Sequence, residues 1–455
     1  MTLELSILAI FGGFGLLAAG TMARLYPLGI CVVLGLAFCQ GLASLAGIPG
    51  ALYGLAIDAM ILLLLGVAYT MCKTRAVPFR APAFWLFLGL SVVFLISAFL
   101  NQSDGFTSYR MFRNTLYPYL FFLGVFNLPL NEQQFVRITK FIGVFLVIQI
   151  GAAVVKFMLW GVREGGMIGT FGTHAGALST VFPLFSIGFL LGLYLIYDRR
   201  PIFLWIILGF IFFAWGGGKR AFFVILPFVL LGGYLFYLIK EQGRKVSGQQ
   251  FIRAGLIVIV LSLPVIYLAG RMTPTLNPEG EVGGSFDPLH MVNYVESYHF
   301  GQHETYGLTH GRVATFRVAV ENVSMGVLPF LFGYGPDAVY GVSRGDGYLQ
   351  ERFEVITFST GLSRYLIATG VLGSSALILL YCYLGVRSFV YYSYLQSRYW
   401  RAMAFGIFLG VFVFLFDFIN YSPVFAHSYI LPILFFYMTA ATIRVAEKEN
   451  AGITE

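Results

Sequence analysis

Charge is scarce in this sequence: 29 Lys and Arg and 21 Asp and Glu make up 11% of its 455 residues, where soluble domains average about 25%. A chain so poor in charge cannot cover a folded surface with solvated groups, which excludes a soluble globular fold. A 58% apolar composition excludes intrinsic disorder. Cysteine is nearly as rare. Cys31, Cys39, Cys72 and Cys382 lie in or beside apolar runs, so no disulfide framework is expected. No basic stretch precedes the first apolar run, which follows Met-Thr-Leu-Glu-Leu, and no clean small-residue cleavage site follows it, so this run is expected to stay as a helix. What abounds is long apolar runs and glycine: mean hydropathy is +0.81, and the 53 glycines suit membrane helices better than soluble ones. At roughly 20 residues per span, the chain holds about a dozen. The fold class is an all-α polytopic membrane protein whose first partner is the lipid bilayer.

Apolar windows set against charged or Gly/Pro-rich breaks predict spans at 3–20, 26–46, 54–72, 82–100, 114–128, 136–160, 176–197, 201–216, 219–239, 251–270, 364–386, 401–420 and 425–443, hence 12 or 13 transmembrane helices. The net charge of +8 would suggest nucleic acid in a soluble protein, but here it bears on sidedness, and no nucleic-acid partner is expected. If the link holding Lys73, Arg75 and Arg80 is cytoplasmic, alternation places seventeen Lys and Arg on that side against six in short outer links: Arg110, Arg113, Lys156, Arg163, Lys219 and Arg220. The chain then divides into N-terminal helices over 1–270, one large extracytoplasmic loop over 271–363, and C-terminal helices with a short cytoplasmic tail over 364–455. Within the loop, Phe316, Val320 and Val323 have helical spacing, which predicts a surface helix over 312–328 ending before Pro329, followed by a turn at Gly333-Tyr334-Gly335-Pro336.

Three stretches on the outer side carry chemistry. Trp215-Gly-Gly-Gly-Lys219-Arg220-Ala221 joins two spans with almost no loop; bare glycine N-H groups at a helix start beside an Arg suit a phosphate, and a tight turn with snorkelling basic residues is the alternative. Arg163-Glu-Gly-Gly-Met-Ile-Gly-Thr-Phe-Gly-Thr-His174 precedes the seventh span, and His310-Gly-Arg312-Val-Ala-Thr-Phe316-Arg317 leads to Pro329-Phe-Leu-Phe-Gly333. His299 and His303 have the i, i+4 spacing of metal ligands, but no cysteine is near and Gly301 weakens the helix, so they read as solvated loop histidines and no metal or other cofactor is expected.

The order of these stretches resembles the O-antigen ligase and Wzy-type polysaccharide polymerase family of bacterial membrane glycosyltransferases. Arg163 to Gly172 matches that family's Arg and Gly-rich stretch before a central span, and Lys219-Arg220-Ala221 its Ser-Arg-Gly-like turn. Arg312 to Phe316 matches its Arg-x-x-x-Trp, and Pro329 to Pro336 its Pro-Leu-x-Gly-x-Gly-Pro turn. Thr369-Gly-Val-Leu-Gly373 is similar to the Thr-Gly-Leu-Leu-Gly that opens the span after the loop. Phe316 stands for the usual Trp and Lys219 for the usual Ser. Ser359-Thr360 occupies the place of a common His-Asn.

The resemblance implies a GT-C type fold in the bacterial cytoplasmic (inner) membrane with its site facing the periplasm. It also implies transfer of a glycan from an undecaprenyl-pyrophosphate donor to a carbohydrate or glycolipid acceptor, alongside other polysaccharide assembly proteins. Such chemistry needs positive charge at the leaving pyrophosphate and a base for the incoming hydroxyl. Arg220 and Arg312 are the expected catalytic cations, and His310, two residues before Arg312, the expected base. Arg163, Lys219, Arg317, His174 and Asp417 are the expected substrate-binding residues, Asp417 competing with His310 for the proton; Arg317 and Arg163 have Glu321 and Glu164 as structural alternatives. The missing His favours polymerisation of O-antigen or exopolysaccharide repeat units over ligation to lipid A-core. A lipid-linked sugar flippase is the reading of another class, and the absence of an internal repeat speaks against it.

Overall fold

A computed structural model describes residues 25–161, 169–171, 178–218, 220–243, 247–300, 311–340, 348–353, 355, 358–420 and 430–454. Among these the chain is helical, with no strand element. The helices are α1 (Tyr26–Phe38), α2 (Gln40–Leu45), α3 (Gly50–Thr74), α4 (Phe84–Leu100), α5 (Gly105–Asn127), α6 (Glu132–Trp160), α7 (Leu178–Gly192), α8 (Pro201–Gly216), α9 (Arg220–Lys240) and α10 (Gly248–Met272). After them come α11 (Pro288–Phe300), α12 (Arg312–Val323), α13 (Val327–Phe332), α14 (Asp337–Tyr340), α15 (Tyr348–Phe353), α16 (Gly361–Tyr391), α17 (Arg398–Asn420) and α18 (Ile430–Thr454). Among the described residues, seven stretches are long and apolar enough to cross a membrane, lying in α3, α6, α7 with its π-helical tail, α9, α16, α17 and α18; α1, α4 and α8 are shorter apolar helices. The span expected over 3–20 lies outside the described residues.

The perimeter is apolar: Trp85, Phe99, Met158 and Trp205 are all exposed. In water such a surface would aggregate; in lipid it is solvated. α17 packs along α7 and α16, and α5 lies between α3 and α18. The largest wholly buried side chains, including Trp400, Tyr119, Tyr365 and Tyr437, fill the space between these helices. Pro118, Pro183 and Pro227 sit inside α5, α7 and α9, positions a membrane helix tolerates when neighbours take up the freed backbone groups.

Four of the basic residues assigned to one side, Arg80, Arg387, Arg401 and Lys448, hold contacts at one end of the bundle. Glu447 accepts from Arg80 at 2.8 and 2.9 Å and from Arg387 at 3.3 Å. Arg401 meets Glu241 at 2.9 Å, Trp400 donates to Glu132 at 3.0 Å, and Lys448 donates to the Leu130 carbonyl at 3.0 Å. We call this the basic end and the other the distal end.

Three elements depart from the hydropathy reading. The span expected over 26–46 breaks at Cys39 into α1 and α2, because Thr170 takes up the break: its hydroxyl donates to the Phe38 carbonyl at 2.6 Å and its carbonyl accepts from Gly41 at 3.0 Å. The span expected over 114–128 starts nine residues earlier. Asp104 caps α5, accepting from the Thr107 N-H at 2.9 Å, and Arg113 is drawn into the helix by Asp58 of α3 at 2.5 Å, so charges placed in a link belong to the bundle. The helix expected over 312–328 ends at Val323, and Pro329 lies within the first turn of α13, where a missing N-H costs nothing.

The 271–363 segment is folded where it is described. Arg271 donates to the carbonyls of Gly284 and Gly283 at 3.0 and 3.1 Å, and the Asn277 amide donates to those of Arg271 and Glu281 at 3.1 and 2.7 Å. Farther on, Ala319, Val323, Ala338, Phe353, Val355 and Phe358 close a small core over Ile367 of α16.

Candidate functional site

The distal end is where the loop meets the bundle, and two sequence stretches interlock there. In α16, Gly370 has φ 65° and ψ −165°, which breaks the helical ladder. The carbonyls freed by that break find donors elsewhere: Ile367 accepts from the Tyr334 N-H at 2.6 Å and Ala368 from the Ser97 hydroxyl at 2.7 Å. The approach needs glycine on both sides. A Cβ on Gly333 would lie 2.6 Å from the Ile367 carbonyl oxygen, and one on Gly370 would lie 2.5 Å from the Leu331 backbone. The same turn reaches the α4–α5 link, where the Asn101 amide donates to the Gly333 carbonyl at 3.3 Å and the Asp104 N-H to Asp337 at 2.6 Å.

Arg312 opens α12 against the end of α17. Its Nη1 donates to the Asn420 carbonyl at 2.7 Å, one of the last carbonyls of a helix and so a natural seat for a cation. One turn on, the buried Thr315 shares a 2.8 Å hydrogen bond with Ser359. Arg312, Thr315, Ser359 and Asn420 thus form one polar corner, and the residue in the place of the family's His belongs to it.

The other expected residues fare differently. Arg317 lies five residues along α12, about 140° round the helix from Arg312 at 100° per residue, and pairs with Glu321 at 2.6 Å on the exposed face; the Glu321 hydrogen bond and charge raise its guanidinium above the ordinary value. Asp417 is wholly buried in α17, one turn inward of Asn420. It does not line the exposed corner. Arg220 is the first residue of α9. The turn before it is shaped by packing, since a Cβ on Gly217 would lie 3.0 Å from Ser179, and Gly218 has φ 63°. Arg163, His174, Lys219, His303 and His310 lie outside the described residues. Of the stretch holding the first two, Gly169 to Phe171 are described, and they dock on α6: Gln149, itself buried, accepts from the Thr170 N-H at 2.7 Å. Among the described residues, no three His, Cys, Asp or Glu come together as a metal would need.

Sequence reasoning missed a second polar group at this end. Asp58 of α3 and Arg113 of α5 form an ion pair with side chains only 4% and 12% exposed, and the Tyr109 hydroxyl donates to Asp58 at 3.2 Å. A cavity of about 380 Å³ opens beside it. The signal was present: Asp58 is the one acidic residue in an apolar run from 50 to 72, and an intramembrane carboxylate is a functional hypothesis by default. What hid the pair is that hydropathy alone puts Arg113 in a link outside the bundle, so Asp58 has no visible partner in the sequence. No family model matches the sequence, and no curated protein does.

Proposed function

We propose that the protein is a membrane glycosyltransferase that moves a glycan from an undecaprenyl-pyrophosphate donor to a hydroxyl of a second carbohydrate at the outer face of the cytoplasmic membrane, polymerising O-antigen or exopolysaccharide repeat units. The observation that carries this reading is the interlock of Gly333 and Tyr334 with Ile367 to Gly370. Two of the stretches on which the family resemblance rests are complementary halves of one joint, and a chance likeness has no reason to select stretches that meet. In this reading the distal end faces the periplasm and the fold is of GT-C type.

Transfer breaks the bond between the donor sugar's anomeric carbon and the pyrophosphate oxygen and forms one to the acceptor oxygen. The bond's electron pair leaves with undecaprenyl pyrophosphate, and the acceptor hydroxyl gives its proton to a base. Arg312 suits the developing charge, because the Asn420 carbonyl fixes one edge of a planar group that binds phosphate in a fork. Arg220 starts its helix at the same end. At Ser359 the family's imidazole is replaced by a hydroxyl engaged with Thr315, so the base is assigned to His310, next but one to Arg312. Deletion of the gene, followed by sizing of surface and secreted polysaccharide, tests the reading. Loss of long chains with short units retained is expected. Loss of attachment alone makes the protein a ligase, and an unchanged profile rejects a transferase.

A further inference from the structure

The cavity beside Asp58 and Arg113 lies between α3 and the first turns of α5, with Gln40 of α2 at its side. At about 380 Å³ it falls low in the ~300–1,000 Å³ range of small-molecule pockets, enough for about one or two sugar rings. Its lining mixes three chemistries. Gln40 and Asn114 carry amides, which donate and accept as neighbouring sugar hydroxyls require. Tyr53 and Tyr109 carry rings with an apolar face and a polar tip, and Arg110 and Arg113 carry guanidinium forks that fit a carboxylate or phosphate. Asp58 offsets Arg113 at 2.5 Å, and Arg110, one turn earlier and exposed, adds a second positive charge.

The cavity is also held in shape. A Cβ on Gly54 would overlap the Arg113 guanidinium, and the Tyr53 hydroxyl is anchored to the Leu36 carbonyl at 2.6 Å. Two well-packed apolar residues would join α3 to α5 as firmly as a buried ion pair does, so its place on a cavity wall points to a ligand. We infer that this cavity binds an anionic sugar, a uronic acid or a sugar phosphate, with Arg110 recognising the charge. The inference goes beyond the transferase reading, since it concerns binding by the protein alone.

Titration calorimetry on the full-length protein in lipid nanodiscs, with no donor or acceptor, tests it with glucuronic acid, glucose 1-phosphate, glucose and inorganic phosphate as probes. At least one charged sugar should bind tenfold or more tighter than glucose and than inorganic phosphate. A preference for glucuronic acid identifies a carboxylate as the recognised anion, and one for glucose 1-phosphate a phosphate. Arg110→Ala, outside the buried pair, should lower that affinity tenfold or more with an unchanged melting temperature, and Arg110→Lys should restore part of it. Gly54→Ala should weaken it too, by displacing Arg113. No binding of either charged sugar at millimolar concentration, equal affinity for glucose or for phosphate, or unaltered binding by Arg110→Ala would each overturn the proposal. Because binding and not transfer is read, failure here leaves the polysaccharide phenotype untouched, and the reverse holds.

Discussion

The two ends of the bundle use arginine differently. At the basic end guanidinium groups meet carboxylates near the surface: Arg80 and Arg387 on Glu447, Arg401 on Glu241. At the distal end Arg312, Arg364 and Arg271 hold backbone carbonyls, of Asn420, of Phe358 at 2.6 Å, and of Gly283 and Gly284, Arg113 is drawn inward by Asp58, and Arg317 alone of these pairs with an exposed carboxylate, Glu321. A carboxylate neutralises a guanidinium, whereas a carbonyl fixes the orientation of the group. The basic end is therefore fastened by ion pairs, and the distal end also by guanidinium bonds to backbone carbonyls that join the loop to the bundle.

The sharpest way to break this comparison is to remove one arginine from each end. Arg113→Ala leaves Asp58, 4% exposed, without its ion partner, and breaking a buried pair costs about 3–5 kcal/mol. Arg80 is 45% exposed, and its loss should cost under about 1 kcal/mol. Thermal unfolding of both variants in one detergent decides it, and equal losses would erase the distinction between the ends.

Glycine offers a second contrast. At the basic end Gly243 has φ 61° with open space around it, whereas at the distal end Gly370 has φ 65° and meets the Leu331 backbone. Gly243→Ala should cost about 1–2 kcal/mol for the left-handed backbone alone. Gly370→Ala adds an overlap with backbone to about 1–3 kcal/mol of strain, and should also loosen the loop. Faster proteolysis within 311–340 in Gly370→Ala only is the expected result; equal proteolysis would mean that the joint does not hold the loop.

Arg312→Lys keeps the charge but loses the fork, and should lower transfer about 10²-fold, by analogy with removal of an oxyanion donor. Arg401→Lys at the basic end should leave transfer near normal. Single-turnover rates with purified protein and a pyrophosphate-linked donor check both, and a normal rate for Arg312→Lys would remove this residue from the reaction.

How much of this was legible in the sequence follows from where each signal resides. Hydropathy alone placed α8 at both ends and α9 to within a residue, because the ends of those helices are set locally, by Pro201, the glycine turn and Lys240. It failed where a distant partner decides. The break at Cys39 depends on Thr170, the place of Arg113 inside the bundle on Asp58, and the non-helical Gly370 on a loop turn remote in sequence. The same holds for the candidate site. That Arg312 and Ser359 share a corner could be guessed only through family resemblance, and the Asp58–Arg113 pair required the packing of α3 on α5.

The smallest predicted effect concerns Asp104, which caps α5 where the loop joint touches the bundle. The Thr107 backbone N-H holds its carboxyl below the ordinary value of 3.8. A lowered folded-state value means that the cap's charge contributes fully above the unfolded pKa, and that the contribution is lost as pH falls through the folded value. Between pH 5 and 8 it should be constant. Asp104→Asn keeps an acceptor for the Thr107 N-H but cannot titrate, so the wild type should exceed it by a small, flat margin in melting temperature over that range, and the margin should close below about pH 3.8. Asp337, which accepts from the Asp104 N-H at 2.6 Å, is present in both proteins and cancels in the difference. Asp104→Ala, with no acceptor, should fall below both at every pH. A margin that widens on acidification would mean that Asp104 is stabilised in its protonated form, and that the cap does not act through charge.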